Sequence, residues 1–267
     1  MARAGLVYTI NTTTNPTTPV NTANPTNDGT VYATATFSTF VGKQIGSNTY
    51  SGIEVVLNNL LSYDGNGGEG RAISGVKFQF GNTTLGNALK AGSPTLVQDS
   101  GQEIKAATNT LLSTVTGSGG NFFHWGSGSD QSGSFHVETV GNFAAGGQPN
   151  HLVDPKLTSG SGYNSSFATH DNGFYTQAEF FIAFSNGVIG NSTTLTAADL
   201  ANVEIQFGTS GNAFGPTSPS TTPFVNTVPA PPSAVLLFSG VFMAGLRRVC
   251  RRAASLVTAA ANPGSPC

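Results

Sequence analysis

The residues able to do chemistry in this chain are few and scattered. Asp64-Gly65-Asn66-Gly67-Gly68-Glu69 sets oxygen ligands at spacings 1, 3 and 6, like a fragment of a calcium loop. A calcium ion takes six to eight oxygens, and the EF-hand pattern also needs a glutamate at its twelfth position. That position is Gly75, so the EF-hand is excluded. A looser calcium site would draw on Asp64, Asn66 and Glu69; a solvated hairpin turn is the default reading, and no cofactor is expected. Trp125, the single tryptophan, follows Asn121-Phe122-Phe123-His124. An exposed indole there would stack on a sugar ring, whereas its phenylalanine neighbours favour burial in the core.

Other catalytic patterns are missing. The histidines at 124, 136, 151 and 170 form no HExxH, and no GxSxG elbow presents a serine nucleophile. Glycine runs such as Gly208-Thr209-Ser210-Gly211 lack the lysine of a P-loop. Two facing carboxylates of the glycosidase type can converge only in the fold, so sequence neither shows nor removes them. The expectation is therefore a protein that is not an enzyme. A carbohydrate-binding module, calcium-assisted or not, and a secreted glycoside-type hydrolase are the alternatives.

The elements that would hold these residues are mostly strands. Val76 to Phe80 and Val203 to Phe207 alternate apolar and polar residues, as do Phe180 to Phe184 and Phe135 to Glu138. Leu6 to Ile10 and Val31 to Val41 are further strands, and Ile53 to Leu61 stays open between a strand and a helical turn. Asn172-Gly173 and Asn186-Gly187 mark turns. Thr196, with Asp199 three residues on, predicts a capping box and one short helix. The fold expected is mainly β: an antiparallel, jelly-roll-like β-sandwich with one short helix, then a single hydrophobic helix at the C-terminus. Its divisions are 1–30, a first strand and a Thr/Asn/Pro-rich loop belonging to the body; 31–210, the sandwich; 211–227, a flexible spacer; 228–252, a tail; and 253–267, a short extension.

Composition separates body from tail. Charged residues are 9% of the 267, against about 25% in an ordinary soluble domain, which leaves a neutral surface rich in hydroxyl and amide groups. From Gly5 to Val228 there are six basic and thirteen acidic residues, a net charge of −7. That balance argues against nucleic acid as a partner. Four arginines (Arg247, Arg248, Arg251 and Arg252) instead follow the uncharged run Ala234 to Leu246, where they suit a cytoplasmic membrane stop. Thirteen residues make a helix of about 20 Å, short of the ~30 Å hydrocarbon core. Counting from Val228 gives nineteen, enough to span if the proline end sits in the interface. Both cysteines, Cys250 and Cys267, lie beyond this run, so the body has no disulfide. At the other end, Ala2-Arg3-Ala4 has the form of a signal-peptide cleavage site without an apolar segment before it, which suggests a start further upstream.

Val228-Pro229-Ala230-Pro231-Pro232, the short uncharged run and the arginine cluster together resemble the PEP-CTERM sorting signal. The resemblance implies export from a Gram-negative bacterium and transient anchoring in the inner membrane. It also implies processing near Pro229-Ala230-Pro231 by an exosortase-type enzyme, then a place at the cell surface or in an extracellular exopolysaccharide matrix. Ala230 stands where the family usually has glutamate, and fifteen residues follow Arg252. Residues 120–212, with GGQPNHLVDP, YNSSFATHDNGFYTQAEFFIAF and VEIQFGTSG, are similar in order to a group of PEP-CTERM proteins with GKPDHLI, NFNPH and VxFxFGTG segments. That likeness implies an extracellular β domain and no named catalytic residue.

Overall fold

A computed structural model describes residues 5–11, 31–61, 72–105, 110–118, 125–141, 143, 151–155 and 173–208. All of them lie in one compact unit, Gly5–Thr227. This part of the chain is mainly β, with eleven strands and one helix among the described residues. In chain order these are β1 (Leu6–Asn11), β2 (Tyr32–Ile45), β3 (Asn48–Asn59), β4 (Ile73–Phe80), α1 (Thr84–Ala91), β5 (Thr95–Lys105) and β6 (Thr110–Ser118). They are followed by β7 (Gly126–Ser129), β8 (Ser134–Glu138), β9 (Val153–Asp154), β10 (Gly173–Ala183) and β11 (Leu200–Phe207).

The strands join in one large sheet made of two blocks. One block runs β1-β2-β3-β10-β5-β6, the other β11-β4-β8-β7. They are stitched by β9, whose Val153 pairs with Phe174 of β10 on one side and Ile73 of β4 on the other. The β9–β10 pair is parallel, which corrects the expectation of a purely antiparallel sheet. The two residues of β9 fill the gap left where β3 stops short of the start of β10, and Asn59 completes the seam by donating to the Val153 carbonyl at 3.0 Å.

Alternation decides what each block buries. In β2 the odd-numbered Ala33, Ala35 and Phe37 are buried while Thr34, Thr36 and Ser38 are half-buried. One buried row runs Phe37, Val55, Phe180 and Asp99 across four strands. Although β2 and β4 lie in different blocks, the Phe37 and Phe78 rings meet edge to face at 5.1 Å, and Tyr8 donates its hydroxyl to the Leu200 carbonyl at 3.2 Å. A flat sheet would hold β2 and β4 about 19 Å apart at ~4.8 Å per strand. The sheet is therefore folded over, with its apolar side inward.

The helix lies elsewhere than expected. Thr196 and Asp199 do make the capping contacts, the Thr196 amide and hydroxyl both donating to Asp199 Oδ2 at 2.7 Å. They close a single turn, because the Asp199 carbonyl then accepts the Gly81 amide at 2.8 Å and Leu200 enters the β11–β4 ladder. The other Asp199 oxygen receives the Thr83 hydroxyl, and Thr83 caps α1 by accepting the Gly86 amide at 2.8 Å. The acid thus serves a helix more than a hundred residues earlier. Among the described residues no helix is long and apolar enough to cross a membrane.

Candidate functional site

The side of the β1–β6 block away from the core carries the most distinctive chemistry. Along its middle, one row runs Thr36, Val56, Glu179, Ser100 and Thr116 over five strands. The next runs Ser38, Glu54, Phe181 and Gln98. Glu54 and Glu179 are diagonal neighbours on β3 and β10, close enough for their carboxyls to hydrogen-bond. Each is held from its outer flank by a serine: Ser38 donates to Glu54 at 2.8 Å and Ser100 to Glu179 at 3.1 Å. Lys43, at the far end of β2, lies over the Phe181 ring at 3.3 Å, and Phe40 meets the same ring edge to face at 5.3 Å.

Glu179 is pushed up to about 7. Burial is the first cause, and the hydrogen bond and charge of Glu54 follow; Ser100 and Lys43 pull the other way. A Glu179 that keeps its proton toward neutral pH is a hydrogen-bond donor.

Two histidine clusters sit elsewhere. His136 on β8 is bracketed, its Nε2 3.0 Å from Asp130 and its Nδ1 3.4 Å from Glu138, with its ring 5.2 Å from that of Phe143. Burial lowers the affinity of the ring for a proton, but the hydrogen bonds to Glu138 and Asp130 outweigh it and raise the pKa. Burial likewise pushes Asp130 up, yet bonds from Ser132, His136 and the Ser134 amide hold it well below the usual carboxylate range. Every residue of β8 is buried, Phe135 and Val137 in the core and His136 and Glu138 in this network, where alternation predicts a half-exposed strand. His151 Nε2 lies 3.0 Å from Glu103, and its ring is 4.9 Å from Phe174.

Trp125 is fully buried, with its ring 4.6 Å from Phe180 and its Nε1 donating to the His151 carbonyl at 3.0 Å. Its backbone amide donates to buried Asp99 at 3.1 Å. The indole is a core residue, so the glycan-stacking role is corrected: its faces are closed to a sugar. Asp64, Asn66 and Glu69 lie outside the described residues, as do Val228 to Pro232 and Arg247, Arg248, Arg251 and Arg252. Among the described residues no group of histidine, cysteine, aspartate and glutamate converges to hold a metal ion. The Glu54–Glu179 pair carries no motif. The only sequence signal is a lone acid at an outward position of two apolar strands, IEVVL and AEFFI. Comparison with family models, curated proteins and solved structures finds no match to this chain.

Proposed function

We propose that this is an exported, non-enzymatic protein of the cell surface or extracellular matrix, sorted by a C-terminal signal of the PEP-CTERM kind and associated with exopolysaccharide. The observation that carries the proposal is the order of parts from Val228 to Arg252: a proline hinge, an uncharged run, then four arginines. A membrane stop needs that order, because the arginines must remain on the cytoplasmic side while the apolar run sits in lipid. Processing near Pro229-Ala230-Pro231 by an exosortase-type enzyme would then release the body from the inner membrane of a Gram-negative cell.

The body supports the reading through its chemistry. It is a β unit without cysteine, low in charge and net acidic. We read its folded-over sheet as a two-layer sandwich of the jelly-roll kind, the β1–β6 block facing the β11-β4-β8-β7 block.

The test is replacement of Arg247, Arg248, Arg251 and Arg252 by glutamine in the producing bacterium, followed by fractionation. The expected result is loss of processing and of correct release, since nothing then halts or orients the tail. An unchanged distribution between membrane, surface and medium would overturn the proposal.

A further inference from the structure

We propose that the outer face of β2, β3, β10, β5 and β6 is a docking surface for an uncharged polysaccharide laid across the strands, with Glu54 and Glu179 at its centre. The inference rests on the matrix reading above and names the surface and the class of polymer.

The chemistry of the face is the first argument. Its two central rows present serine, threonine and glutamine side chains on both sides of the carboxyl pair. Hydroxyls and amides donate and accept, as sugar hydroxyls do, so either partner can supply the proton in each bond. Half-buried Val56 and Phe40 give apolar spots between them, suited to the C–H side of a sugar ring, while Phe181 lies buried against Lys43 and Phe40.

Charge selects the polymer. The unit as a whole has a net charge of −7, from six basic and thirteen acidic residues between Gly5 and Thr227. A polyanionic glycan would be repelled by that field. On this face the negative charge is reduced: Lys43 lies over Phe181 and acts on Glu179, whose carboxyl burial and Glu54 push up to about 7. An uncharged chain meets neither repulsion nor an unpaired buried charge. Spacing is the third argument. Strands repeat every ~4.8 Å, close to the length of one sugar ring, so a chain crossing from β2 to β6 meets a polar side chain at about every unit over ~19 Å. The helix α1 packs against β4, in the other block.

The experiment is affinity electrophoresis of the full-length chain through gels holding dextran, hydroxyethyl cellulose or galactomannan as uncharged probes, and alginate as the anionic one. Thr36→Arg and Ser100→Arg each place bulk and charge on the face without entering the core, and Asn48→Arg, at the β2–β3 turn, is the control. Native-like Trp125 emission checks that each variant is folded. The expected result is retardation by at least one uncharged polymer, weakened tenfold or more by Thr36→Arg and by Ser100→Arg, unchanged in Asn48→Arg, and absent in alginate. Retardation that survives both face variants would overturn the surface while leaving matrix association intact. Retardation by alginate alone, or by none of the four polymers, would overturn the inference; neither result bears on tail processing, which is measured separately.

Discussion

Replacing Glu179 by glutamine isolates the electrostatics of the carboxyl pair. In the folded protein this carboxyl is lifted from an ordinary value of 4.5 to about 7, by burial first and Glu54 second. Between those two values the folded state holds a proton that the unfolded state has released. Stability therefore falls as pH rises through the window, opposite to the usual salt-bridged acid. At 1.36 kcal/mol per pH unit the full loss is about 3 kcal/mol, and solvent screening of a half-exposed pair reduces it to about 1 to 2 kcal/mol. Glu179→Gln keeps a donor toward Glu54 and cannot ionise. It should match the wild type at pH 4.5 and exceed it by about 1 to 2 kcal/mol at pH 8.5. Urea unfolding followed by Trp125 emission measures this, because the only tryptophan is fully buried in the native state. A variant less stable than the wild type at pH 8.5, or one whose pH slope equals the wild type's, would refute the shared-proton account.

Other consequences follow from the same contacts. His136, with its pKa raised by Glu138 and Asp130, contributes stability that is full below the unfolded value of 6.5 and lost as pH rises through its folded value. His136→Gln should therefore lower the melting temperature more at pH 5.5 than at pH 8.5, and an equal drop at both would contradict the bracketed imidazolium. Asp199 has the opposite sense: burial pushes it up, but Thr83 and Thr196 outweigh that and hold it low. Asp199→Ala frees the cap of α1 and opens the turn before β11, and should cost about 1 to 2 kcal/mol at pH 7, less at pH 3. Chemical denaturation at the two pH values checks it.

The strands with strict alternation were legible because one face of each must be buried. Val76 to Phe80 became β4, Val203 to Phe207 lies in β11, and the open segment from Ile53 resolved as β3 because its pairing with β2 and β10 captures the backbone. β5 and β6 carry no such signature, since TLVQDSGQEIK buries Leu96, Asp99 and Ile104 without a run of apolar residues. α1 was equally hard to see: NTTLGNALKAG offers only Leu85 and Leu89 on one face, and holds glycine and asparagine between them. The Thr196–Asp199 signal was chemically right and misplaced in role, because a cap depends on a carboxylate in space and not on the helix next in sequence. The Glu54–Glu179 pair depends on the registers of β3 and β10 together, which no spacing within either segment encodes.

The central claim concerns the tail, and the intact mass of the protein isolated from its producing cells tests it most directly. The account predicts a species ending close to Pro229-Ala230-Pro231, without Cys250 and Cys267 and clearly more acidic than the net −2 of the whole chain. A full-length surface species that still contains Cys250 would contradict it.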